Sequence, residues 1–132
     1  MYQFNSLLGE VLTTLGTRGI FKMEVLAYKP AKIANRELVM EGDDMRVQVL
    51  TLGENDCIPW HYHSEITDSF VCLEGTLVVE TKAPADIHIL EVGDRCEVTS
   101  MVAHYVHGLD MHPAKFMILQ GVGVYDNIPI GE

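Results

Sequence analysis

The chain is poor in cysteine, poor in positive charge and without a long apolar run, and each shortage closes off a class of protein. Its three cysteines, Cys57, Cys72 and Cys96, show no C-x-x-C spacing and are odd in number, so no complete disulfide framework can be drawn. They are expected to be reduced, with Cys72 in Phe70-Val71-Cys72-Leu73 serving as a small core hydrophobe; Cys57 is left open as a reactive thiol. Nine Lys and Arg stand against nineteen Asp and Glu, a formal net charge of −10. That balance repels a phosphate backbone and argues against nucleic-acid binding. No apolar stretch approaches the roughly 18 residues needed to cross a bilayer, so no membrane span is expected. The segment Met1-Tyr2-Gln3-Phe4-Asn5-Ser6 has no basic run ahead of an apolar one, so no secretory signal is expected and the cytoplasm is the expected location.

What is present suits one folded domain: 132 residues, 48% hydrophobic and 21% charged, enough chain to bury a sizeable core. Phe4, Leu7, Leu8, Val11, Leu12 and Leu15 fall on one stripe of an α-helix, with Asn5 or Ser6 as N-cap and Gly16 as its stop. Phe21 to Val25 alternates like a strand before a bend at Lys29–Lys32. It reads as a local edge strand or as an arm crossing to another subunit. Residues 1–36 are therefore expected to form a helix and arm that pack on a unit spanning 37–132.

From Glu37 onward, short β-branched and apolar runs alternate with turn chemistry at Gly42-Asp43-Asp44, Gly53–Asp56, Glu74-Gly75, Lys82-Ala83-Pro84, Val92-Gly93-Asp94 and Gly108-Leu109-Asp110. Strands are expected at about 37–41, 45–52, 57–63, 67–74, 76–81, 86–91, 95–99, 102–107 and 114–120. No second helix intervenes, which excludes a βαβ sheet and leaves an all-β antiparallel sandwich or barrel.

His61 and His63 are two apart on an expected strand, so both side chains leave one face, as two ligands of one metal must. Asp68 shares the parity of Phe70 and Cys72, and a hairpin at Ser64–Thr67 would bring its carboxylate beside the pair. His104 offers a third imidazole from a later strand. An H-x-H pair alone is a weak motif; the frame around it adds weight.

The spacing Gly53-x7-His61-x-His63-x4-Asp68-x6-Gly75, followed by Gly93-x10-His104, resembles the two motifs of the cupin family over about residues 45–110. The resemblance implies a six- to eight-stranded antiparallel jelly-roll barrel, commonly dimeric, enclosing Fe, Mn, Ni, Zn or Cu. It implies His61, His63 and His104 as metal ligands, with Asp68 in the place of the family's glutamate. The chain departs from the pattern in several places. Asp68 is one methylene shorter, so that it either falls short of a metal or reaches it through water, and Glu65 is a rival carboxylate. Thr99 and Met101 replace a proline and a glycine, and Gly108 replaces a terminal asparagine.

Three imidazoles with or without a carboxylate suit a divalent first-row metal rather than Ca or Mg. Such a site keeps open positions for a substrate. Phe70, Cys72 and Val106 are expected to line it, whereas Trp60, Tyr62, Tyr105 and His107 are expected to face away, and His88 and His112 to be solvated. A charged substrate could be held by Arg95, Arg46 or Lys115, among which spacing selects none. The expected function is a small metal-dependent enzyme of dioxygenase, isomerase or decarboxylase type acting on a small organic molecule. The alternative is a non-catalytic barrel that binds a sugar or another small ligand.

Overall fold

Period-2 burial dominates the computed structural model, which describes residues 31–131. The helix expected over Phe4–Leu15 and the alternating stretch Phe21–Val25 lie outside the described residues. The remainder forms ten strands: β1 (Asn35–Glu41), β2 (Met45–Leu52), β3 (Cys57–Tyr62), β4 (Thr67–Glu74), β5 (Leu77–Thr81), β6 (Asp86–Leu90), β7 (Arg95–Val98), β8 (His104–Gly108), β9 (Ala114–Gly121) and β10 (Ile128–Pro129). All nine strands read from the sequence are there. The tenth, two residues long, is too short to leave a pattern.

Two five-stranded antiparallel sheets result, ordered β1-β2-β9-β4-β7 and β10-β3-β8-β5-β6. Ten strands exceed the six to eight implied by the resemblance because β1 and β10 extend opposite sheets at their edges. Without them, β2 to β9 are eight strands in two sheets of four. The sheet order also corrects the expected hairpin at Ser64–Thr67. β3 and β4 belong to different sheets, so residues 63–66 cross between the layers, and Asp68 meets the histidines face to face.

Each inward row runs from an apolar end to a polar one. On β4 the buried residues are Asp68, Phe70 and Cys72; on β9 they are Ala114, Phe116, Ile118 and Gln120. Register sets Phe70 opposite Ile118, Cys72 opposite Phe116, and Asp68 opposite Gln120. Phe70 and Phe116 are fully buried with ring centroids 5.8 Å apart, an aromatic pair at the centre of a core completed by Leu50, Leu52, Leu77, Val79 and Val106. Cys72 is buried within it, as expected of a core hydrophobe.

Gly108 closes the apolar end. A Cβ there would stand 1.8 Å from the carbonyl oxygen of His112, so only glycine lets the turn after β8 fold back onto the strand. Gly108→Ala is expected to cost at least the about 1–3 kcal/mol typical of overpacking. The urea midpoint measures this, and an unchanged midpoint would contradict the close approach.

Candidate metal centre

Four residues from three strands and one crossover converge at the polar end of the barrel. His61 lies on β3 opposite His104 on β8, His63 follows β3 immediately, and Asp68 reaches across from β4. All four are buried, and their ligand atoms lie within 4.8 Å of one another. The strand that carries His61 is irregular on its N-terminal side. The β3–β8 register slips by one residue between Ile58 and His61, a bulge at Pro59, which lacks the N–H a regular ladder would use. The slip lets Ile58, of opposite parity, face the interior too, and Ile58 lines the cavity with His61 and Val106.

The second stretch keeps its register without the expected proline and glycine. Met101 adopts the left-handed conformation itself, at φ 69°, and its N–H donates to the His63 carbonyl at 2.7 Å. The contact ties the turn before His104 to the crossover bearing His63.

Each imidazole is held by its far nitrogen. Nδ1 of His61 donates to the Pro59 carbonyl at 2.8 Å, Nδ1 of His104 to that of Val102 at 2.9 Å, and Nδ1 of His63 to that of Asp126 at 2.5 Å. A carbonyl only accepts, so all three Nδ1 atoms carry hydrogen and every Nε2 is left for the interior. Asp68 Oδ2 stands 2.9 Å from Nε2 of His63 and 3.0 Å from Nε2 of His104, while Oδ1 accepts from Gln120 Nε2 at 3.1 Å. With neutral imidazoles, lone pairs would face a carboxylate oxygen, so the arrangement demands either protons or a cation between them. Asp68, despite its shorter side chain, reaches the cluster directly. Glu65 does not join it; its Oε1 accepts the N–H of Val124 at 3.2 Å.

The same geometry governs protonation. Burial, then the neighbouring His104 and His63, press the pKa of His61 down to about 3. Burial also works against charge on His63, but the hydrogen bond and charge of Asp68, with the Asp126 carbonyl, outweigh it and raise the pKa above the usual 6.5. Burial works against ionisation of Asp68, yet hydrogen bonds from His104 and His63 and their charge hold it well below the usual carboxylate range. Protonation is thus disfavoured at His61 and favoured at His63, beside the carboxylate.

The donor set fits a divalent first-row metal. Metal–nitrogen bonds of about 2.1 Å put opposed ligands about 4.2 Å apart, and the four ligand atoms, all within 4.8 Å of one another, span a comparable distance. Imidazoles oriented by backbone carbonyls and a carboxylate oriented by an amide are the outer contacts such a centre uses.

Most of the other expectations are met. His107 turns away to pair with Glu80 at 2.7 Å. Trp60 stacks on Tyr105 at 5.6 Å with the Lys82 ammonium 4.3 Å above its ring. His112 is exposed, whereas His88, expected to be solvated, is half-buried. Sequence reading missed Gln120, Tyr125 and Asp126. Gln120 left a trace, a polar residue on the inward parity of Phe116 and Ile118. Asp126 left none, yet its carbonyl holds His63 and its carboxylate takes both the N–H and the hydroxyl of Ser64.

No protein-family model and no curated protein matches the chain. Solved structures do. An uncharacterised conserved protein with a double-stranded β-helix domain from Klebsiella pneumoniae aligns with 81% of this chain and 88% of its own, at 17% identity and TM-score 0.65. An RmlC-like cupin protein from Desulfovibrio desulfuricans aligns with 68% of this chain and 82% of its own, at 19% identity and TM-score 0.57. The oxalate decarboxylase of Lactobacillus farciminis, in complex with formate, aligns with 76% of this chain and 33% of its own, at 13% identity and TM-score 0.61. At these identities the likeness is one of fold, and it agrees with the motif spacing: the chain folds as a small cupin, a double-stranded β-helix with a buried His61, His63, Asp68 and His104 cluster at its polar end.

Proposed function

We propose that this protein is a small metal-dependent enzyme whose divalent first-row metal is held by Nε2 of His61, His63 and His104 together with Asp68, beside a cavity that admits a small organic substrate. The observation that carries the reading is the orientation of the three rings, each fixed at Nδ1 by a backbone carbonyl, with ligand atoms that gather with Asp68 within 4.8 Å of one another. When bound, such a metal supplies Lewis-acid polarisation of a substrate oxygen, the need common to oxygenase, isomerase and decarboxylase chemistry. Phe70, Val106 and Ile118 line the cavity and limit water there, while Gln120 fixes the direction of Asp68. The oxalate decarboxylase of like fold lends the enzymatic reading support.

The test pairs metal analysis with ligand binding. The purified protein is expected to take up about one equivalent of a first-row metal, and small organic ligands are expected to raise its Tm only when it is loaded. Stabilisation independent of metal would instead favour a binding barrel without catalysis. The pH dependence has a definite sign. A metal must displace the proton of His63, so affinity is expected to weaken as pH falls through the raised pKa of that residue, beginning above 6.5. Occupancy measured from pH 8 to 5 should therefore decline, and a flat profile would count against histidine ligation.

A further inference from the structure

Resting on that reading, we propose that the cavity beside the cluster takes a small carboxylate, and that Arg46 is the residue that selects it. Of the three cations left open by the sequence, only Arg46 lines the same cavity as His61, Asp68 and His104. Lys115 pairs with Glu74 at 3.7 Å on the other end of β9, and Arg95 is exposed on the edge strand β7.

Register puts Arg46 there. It lies opposite Gln120 across β2 and β9, and Gln120 lies opposite Asp68 across β9 and β4. Arg46 Nε and Nη2 donate to Gln120 Oε1 at 3.3 and 2.8 Å, and Gln120 Nε2 donates to Asp68. Arginine only donates and a carboxylate only accepts, so the amide has one possible orientation. The guanidinium carbon also sits 4.5 Å above the Tyr125 ring. Gripped along one edge and one face, Arg46 is a fixed cation whose only hydrogen-bond partner among the described residues is neutral. Glu41 and Asp43 line an outer cavity that Arg46 also borders, yet no described carboxylate lies within ion-pair distance of it. Among the described residues, the second Nη of the guanidinium has no hydrogen-bond partner, and a carboxylate ligand suits it.

Charge counting gives the ligand its sign. A divalent metal, three neutral imidazoles and ionised Asp68 sum to +1; Arg46, half-buried, and Arg36, exposed at the rim of the same cavity, bring the wall of the loaded cavity to +3. A positive surplus in a partly enclosed cavity favours an anion over a neutral molecule of equal shape. The space is small, with room for roughly two waters, which limits the part held inside to a compact group. A carboxylate presents one oxygen to a metal and the other to Nη of an arginine.

The experiment loads the protein with Co²⁺, quantifies the bound metal, and follows the visible spectrum during titration with acetate and with its neutral isostere acetamide. Wild type is expected to bind acetate at least tenfold more tightly than acetamide. Arg46→Met is expected to lose about tenfold in acetate affinity while keeping its metal, and Arg46→Lys to retain part of the preference. Arg95→Gln, which removes the same formal charge far from the cavity, is expected to change affinity less than twofold. Metal uptake with equal binding of acid and amide, or equal losses in Arg46→Met and Arg95→Gln, would overturn this inference alone. Absence of metal uptake by wild type would overturn the metal reading and, with it, the charge count used here.

Discussion

Joint replacement of His61 and His63 by alanine is expected to abolish stoichiometric metal uptake, with His107→Ala as a control that keeps it. Two of four converging ligands are lost. The affinity should therefore fall by more than the roughly 10–100-fold that follows loss of a ligand's hydrogen-bond partner alone. Both histidines are buried, so the variant also leaves space that water can fill against Asp68, and circular dichroism should accompany the metal analysis to show that the barrel persists. Dialysis with excess Zn²⁺ followed by elemental analysis reads the outcome. A folded double variant that retains one equivalent would place the metal elsewhere and remove the basis for the proposed chemistry.

The second large effect is on stability. Phe70 is fully buried between Phe116, at a centroid distance of 5.8 Å, and His104, at 6.2 Å. Phe70→Ala is expected to cost about 3–5 kcal/mol, transfer and cavity terms together, against the roughly 5–15 kcal/mol that holds a typical domain folded. Because Phe70 packs on His104 and stands two residues from Asp68 on β4, the metal-free variant should also hold the cluster less firmly. Denaturant unfolding of the metal-free protein isolates the first term. A loss under 1 kcal/mol would mean that the two sheets meet elsewhere.

Much of this was legible in the sequence because strand parity is a strong signal when one face is buried. His61, Asp68, Phe70, Cys72, His104 and Val106 all face inward as alternation requires. Alternation says which face a residue takes, but not which sheet its strand joins, and so a hairpin was expected where the chain crosses between layers at residues 63–66. It also cannot foresee a slip, and the bulge at Pro59 brought in Ile58. Contacts made by residues distant in sequence were out of reach. Gln120 lies 52 residues from Asp68 and 74 from Arg46, and nothing local marks the Asp126 carbonyl as the partner of His63. The helix expected near the N-terminus lies outside the described residues, and its stripe of leucines is part of the sequence reading alone.

The link between His63 and the Asp126 carbonyl, 63 positions downstream, has a consequence for how the protein is made. A ribosome releases His61, His63 and His104 before the backbone group that sets the His63 tautomer has emerged. On the proposed reading, a nascent chain meeting a divalent metal at that stage would offer a slack grip, and a tight one would wait until the stretch around Tyr125 and Asp126 had settled against the crossover. Proteolytic nicking ahead of Asp126 would return a finished molecule to the slack condition with all four donor residues still in place.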